Sequence, residues 1–151
     1  MKTIRNKHQV TILCVAIALL LPGVAWAKTK PDINQQLQSA IAKVRKARTT
    51  DAKYYAAERI VALTDERDCS DVTDETIQSM ISLLDMPDDG VRMWVAGALG
   101  DIGPRAKAAV PKLLSILAEV DCMTWDHSSA ATIPVALRTM GVTPPPRNCP
   151  H

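Results

Sequence analysis

Phenylalanine is absent from this 151-residue chain, and three Trp and two Tyr are its other large aromatics. Apolar or aromatic alternation of strand type is missing as well, which excludes a β-sandwich or barrel reading. No Gly-rich phosphate loop, no Gly-x-Ser-x-Gly and no His-Glu-x-x-His occurs, so no nucleotide site, nucleophile elbow or zinc-protease helix is expected. We therefore expect neither an enzyme nor a cofactor. An excess of charge of one sign is lacking too. The formal charge of +2 leaves no electrostatic footprint for nucleic acid or an anionic membrane surface.

What is present begins with an export signal. Lys2, Arg5 and Lys7 form a basic start, Val10 to Leu21 is an almost unbroken apolar run, and Pro22-Gly23 ends it. Ala25-Trp26-Ala27 places small residues where a signal peptidase reads them, so residues 1–27 are expected to be a cleaved secretory signal. The alternative, a membrane anchor, fits less well: a run of about a dozen residues falls short of the roughly 20 that a spanning helix needs. Cys14 follows Ile12-Leu13 without the small residue that lipid attachment requires. The expected location is the periplasm, with residues 28–151 forming one domain that ends in a proline-rich tail over 142–151.

Cleavage would remove three basic side chains and leave a formal charge of −1, unevenly spread. Residues 28–53 carry a local +5, and residues 54–89 a local −8. Such runs serve as solvated faces, or an acidic stretch meets a basic partner.

Ala, Leu, Ile and Met at three- and four-residue spacing predict an all-α fold. Asp32 caps a first helix to about Arg48, with Ile33, Leu37, Ile41 and Val44 on one stripe. Thr50-Asp51 caps a second helix to about Thr64, burying Ala56, Ile60 and Leu63. Thr73 or Asp74 opens a third, with Ile77, Met80, Ile81 and Leu84 facing inward, and Pro87 with Gly90 closes it. A fourth presents Val91, Val95, Ala98, Leu99 and Ile102. A fifth runs from about Arg105 to Val120, burying Val110, Leu113, Leu114, Leu117 and Val120. A sixth spans roughly Ser128 to Met140, and Pro134 inside it should kink it or shift its start.

These helices repeat. Ala136-Leu137 to Gly141 matches Ala98-Leu99 to Gly103 at an offset of 38, and Ala62-Leu63 matches Ala98-Leu99 at 36. Ile77, Met80, Ile81 and Leu84 match Val110, Leu113, Leu114 and Leu117 at 33. Asp88-Asp89-Gly90-Val91-Arg92, Ala96-Gly97-Ala98-Leu99-Gly100-Asp101-Ile102-Gly103-Pro104 and Ala109-Val110-Pro111-Lys112-Leu113-Leu114 with Leu117 compose one complete hairpin. This hairpin resembles the HEAT-like repeats first described in phycocyanobilin lyases. The resemblance is close over one repeat and looser over residues 51–141. It implies a short α-solenoid, an armadillo-like superhelix of about three antiparallel helix pairs that buries its faces between neighbours. It also implies that Arg92 and Asp101 stitch neighbouring repeats together. The lyase chemistry does not carry over.

The drop from 36 to 33 marks a longer connection after the second helix, Asp65 to Val72, which has no evident packing reason to be long. It is either a tolerated insertion or, as loops on rigid scaffolds tend to be, a site. Glu66, Asp68 and Asp71 on this loop, with Trp94 and Trp125, are the candidate partner-binding residues. Trp and Tyr are favoured interface anchors, although packing between repeats would also explain both tryptophans.

Three cysteines survive cleavage: Cys69, Cys122 and Cys149. Export permits disulfides, and three thiols allow one internal bond. A helix of about 14 residues is roughly 21 Å long, and eight extended residues reach about 25 Å. Cys122–Cys149 is thus reachable across the last helix and is the expected pair, with Cys69–Cys149 the alternative. A leftover Cys69 would be buried or would join two protomers as a homodimer. Asp126-His127-Ser128-Ser129 invites a catalytic-triad reading, but adjacency in sequence does not create triad geometry, and a helix cap at Asp126 or Ser128 is the simpler role. Cys122, Asp126, His127 and His151 lack zinc-ligand spacing, so no metal is expected.

Size, export and helical architecture are together similar to immunity proteins that block a cell-wall amidase delivered by a neighbouring cell's type VI secretion system. That similarity implies a protein partner, a secreted peptidoglycan amidase. The alternatives are a non-inhibitory adaptor in an envelope complex and a small-molecule binder, which would need an enclosed apolar pocket.

Overall fold

Five of the six helices among the described residues begin on a side chain that accepts a hydrogen bond from their own first turn. The computed structural model describes residues 32–65, 67–120 and 128–146. The helices are α1 (Ile33–Lys46), α2 (Thr50–Thr64), α3 (Asp74–Ile81), α4 (Asp89–Ile102), α5 (Val110–Glu119) and α6 (Ser129–Thr139). Asp32 caps α1, Thr49 caps α2, Thr73 caps α3, Asp88 caps α4 and Ser128 caps α6. Each such cap contributes about 1 kcal/mol. Among the described residues there is no strand, and the all-α expectation holds. No described helix is long and apolar enough to cross a membrane. The expected signal over 1–27, together with Glu66, Cys122, Trp125 and Cys149, lies outside the described residues.

Two short 3-10 segments depart from the expected helix ends. Ser82–Asp85 tightens the end of α3, and Met86 then turns extended, as the residue before Pro87 must. The second segment, Gly103–Ala109, replaces the first turns of the helix expected from Arg105. Its cause is local. Gly103 takes a positive φ of 69° and ends α4. Pro111 has no N–H to give the Lys107 carbonyl, so α-helical winding starts only at Val110. Pro134 does not shift the start of α6, which runs from Ser129 through it. Gly141 (φ 79°) closes α6, with Gly141 N–H on the Arg138 carbonyl and Val142 N–H on the Leu137 carbonyl. This is a Schellman ending.

The described residues belong to one compact unit. Helix α4 packs most extensively on α2 on one flank and α6 on the other, and α1 lies against α2. Helix α3 meets α1 and α4, and α5 meets α6. Being enclosed, α4 buries more than one stripe: Val91, Met93, Val95, Ala96, Ala98, Leu99, Gly100 and Ile102 are all covered. The inward stripes elsewhere run through Leu37, Ile41 and Val44, Ile60 and Leu63, and Ile77, Met80 and Leu84. Ala57, Leu83 and Ile116 join this core, whereas Ala56, Ile81, Val110, Leu114 and Val120 pack only at its edge. Each fully buried aliphatic contributes roughly 1.5–3 kcal/mol.

The α4–α6 contact depends on a missing side chain. A Cβ on Gly100 would stand 3.0 Å from the Ala136 Cα and 3.1 Å from its Cβ. A Cβ on Gly97 would meet Val61 at 3.4 Å, an ordinary packing distance. Gly100→Ala is therefore expected to destabilise the fold by about 1–3 kcal/mol. Gly97→Ala gains helix propensity and should be neutral or stabilising by up to about 1 kcal/mol. Urea denaturation of the two variants checks the order.

Candidate functional site

The connection from Asp65 to Thr73 is held by its backbone. Cys69 and Val72 turn inward and are buried, 8% and 0% exposed, so the segment has a packing role and is not a bare insertion. The polypeptide between these two plugs presents carbonyls that no helix satisfies, and buried or half-buried carbonyls need partners. Arg105, at the start of the second 3-10 segment, supplies them. Its guanidinium donates to the carbonyl oxygens of Cys69 (3.2 Å), Ser70 and Val72 (2.7 Å). From the other side, Asn34 on α1 donates Nδ2–H to the Asp71 carbonyl at 2.9 Å and accepts the Thr73 N–H at 2.9 Å. The planar fork of arginine suits such a multi-point clamp.

With its carbonyls engaged, the loop turns its carboxylates outward. Asp65, Asp68, Asp71, Asp74 and Glu75 are all exposed. The Ser70 backbone N–H, 2.9 Å from Asp68 Oδ1, and the Ser70 hydroxyl hold the Asp68 carboxyl below its ordinary range. Arg105 approaches Asp74 at 3.7 Å, but with the Asp74 side chain 94% exposed that pair contributes little. The segment is thus a ridge of mostly anionic side chains, with the exposed Arg67 among them, on a backbone held at several points.

Asp101, at the end of α4, stands beside this ridge. Its Oδ2 accepts the Thr64 hydroxyl at 2.8 Å, tying α4 to the end of α2. Desolvation raises the Asp101 pKa; the Thr64 bond lowers it and the Asp65 charge adds to the rise. Cys69 is a buried free thiol that donates to the Thr64 carbonyl. Burial, then the Asp101 and Asp68 charges, push its pKa up, so it stays protonated and poorly nucleophilic. Arg92 donates Nε–H to the Met86 carbonyl at 2.8 Å, joining α4 to the end of the 3-10 segment that follows α3.

The aromatic candidates lie elsewhere on the same seam. Trp94 is half-buried, and its ring meets Tyr54 edge-on at 5.6 Å between centroids. Tyr54 in turn meets Tyr55 at 5.7 Å, and Tyr55 is 67% exposed. Trp94 Nε1 is buried without a hydrogen-bond partner, which costs about 1–3 kcal/mol. Trp94 and Asp101 are seven residues apart on α4, on one face and about 10 Å distant at 1.5 Å per residue. The structure therefore does not put Trp94 beside the acidic loop; it puts it on the same side of the α2–α4 seam, nearer the opposite end.

Of the Ser128-Ser129 pair, Ser128 caps α6. Ser129 is buried and its hydroxyl donates to Asp89 on α4; it pins two helix starts together. Among the described residues no group of three or more His, Cys, Asp or Glu could hold a metal ion. Sequence reasoning missed Arg105 and Asn34. The signal that could have found them was the loop itself, since a lengthened connection over a core needs donors for its carbonyls. Compared with protein families, curated proteins and solved structures, the chain matches none.

Arg105→Ala should free the loop backbone, lower stability by about 1–3 kcal/mol and speed amide hydrogen exchange over residues 67–73. Arg105→Lys should restore little, since one ammonium cannot span three carbonyls.

For Asp101, the folded-state pKa lies above the ordinary 3.8, so its contribution to stability is present below that value and lost as pH rises through the folded pKa. Asp101→Asn keeps an acceptor for Thr64 and removes the titration. Its melting temperature relative to wild type should rise between about pH 3 and about pH 7; a falling difference would contradict this account.

Proposed function

We propose that this protein is an exported, HEAT-like binding module whose ligand is a protein with a basic surface. The observation that carries the reading is the clamped ridge. Its backbone is spent on Arg105 and Asn34, while Asp65, Asp68 and Asp71 face solvent on a fixed frame. Preorganised charge of this kind raises association rates and selects complementary partners without an ordering cost at binding. The aromatic group of Tyr54, Tyr55 and Trp94 on the same seam supplies the apolar anchor that such an interface needs.

In its specific form the module is a periplasmic immunity protein that inhibits a cell-wall amidase, the ridge entering a basic cleft. In its alternative form it is an adaptor that joins an envelope complex and inhibits nothing. Deleting the loop cannot separate these from misfolding, because Cys69 and Val72 belong to the core. Asp68→Asn with Asp71→Asn leaves the clamped backbone in place. Pull-down from envelope extract with mass spectrometry should recover a basic partner on the wild-type protein and about tenfold less on the double variant. Equal recovery would refute the ridge. Loss of peptidoglycan hydrolysis on adding the module to the captured partner separates inhibitor from adaptor.

A further inference from the structure

A groove of about 300 Å³ runs between α1 and α2, lined by none of the residues used above for protein docking. Its floor is apolar, Ala40 and Leu63, which are 3% and 1% exposed. Its walls are polar: Gln35, Gln36, Ser39 and Lys43 from α1 and Arg59 from α2. The two cations are unmatched. Helix α1 contains no Asp or Glu from Ile33 to Lys46. The positions three and four residues either side of Arg59 are Tyr55, Ala56, Ala62 and Leu63, so neither cation has a carboxylate at helical pairing distance. The ion pairs recorded among the described residues, Arg105–Asp74 and Lys112–Asp85, involve neither.

A small concave site with an apolar floor and a few convergent polar groups is the usual form of a ligand pocket, and this one lies at the small end of the range. Both cations are exposed and have no carboxylate partner among the described residues, which leaves them open to an oxyanion that arginine can grip with its planar fork. The Gln35 carboxamide and the Ser39 hydroxyl beside them offer both donors and acceptors, the complement of a polyol. We propose that this groove binds an oxyanion-bearing monosaccharide, its acidic group between Lys43 and Arg59 and its hydroxyls on Gln35 and Ser39. The site is independent of the protein-docking reading.

The test is a nuclear magnetic resonance titration of the protein with glucuronate, with glucose and with inorganic phosphate. Glucuronate should shift amide resonances confined to residues 35–43 and 55–63, and its affinity should fall as salt is added. Lys43→Ala with Arg59→Ala should weaken it by at least about tenfold with an unchanged helical circular dichroism spectrum. Asp68→Asn with Asp71→Asn should leave it intact. No shift with glucuronate, shifts mapping outside the groove, or equal responses to glucose would overturn the proposal. An equal response to phosphate would reduce the site to an adventitious anion contact and overturn it as well.

Discussion

The approach of α4 to α6 at Gly100 and Ala136 is the constraint on which the rest of the molecule depends. With backbone almost on backbone at that point, α4 can be covered on the α6 flank while Leu99 and Val95 remain covered by the others. A central helix packed on both flanks has no freedom to roll, because rolling would expose aliphatics worth roughly 1.5–3 kcal/mol each. Its terminal residues are therefore placed as firmly as its core. Asp101 follows Gly100 directly and reaches Thr64 on α2, and Asp89 at the other end reaches Ser129 on α6. Each polar tie reinforces a helix position already set by packing.

The turn that follows converts this rigidity into a shaped surface. Gly103 ends α4 by a positive φ, and Pro111 delays the next helix, so Arg105 projects from a tight 3-10 segment. Three carbonyls of the Cys69–Val72 stretch lie within its reach. The charge economy here is instructive. The guanidinium is committed to backbone oxygens, and its one carboxylate neighbour, Asp74, is almost fully exposed. The ridge thus gains order from a cation without losing its negative character to that cation.

Much of this was legible in the sequence because it rests on local chemistry. Asp32 reads as a cap and serves as one, Thr73 caps where Thr73 or Asp74 was expected, Ser128 caps where Asp126 or Ser128 was expected, and Thr49 caps α2 in place of the expected Thr50-Asp51. The offset of 38 that equates Gly141 with Gly103 reappears as two positive-φ helix endings. What could not be read was long-range. That Cys69 and Val72 are core plugs, and that Arg105 and Asn34 hold the loop between them, depends on which elements meet across about 35 residues of chain. The expected helix from Arg105 failed for a subtler reason: periodicity locates an apolar stripe, but Pro111 decides where α-helical hydrogen bonding can begin.

The separation of the candidate residues bears on how a partner would engage them. Trp94 and Asp101 share a face of α4 about 10 Å apart, with Gly97 between them, where an added Cβ would meet Val61 on α2 at 3.4 Å. A standard interface covers roughly 800 Å² on each side, a patch about 30 Å across, so one partner can cover the aromatic group and the acidic ridge together. The division of labour then follows from their physics. The ridge is exposed and screened by salt, which suits it to steering and selection. The aromatics are partly desolvated already and carry an unpaired indole N–H, which suits them to holding a partner once it has arrived. The seam is thus aromatic at one end and acidic at the other.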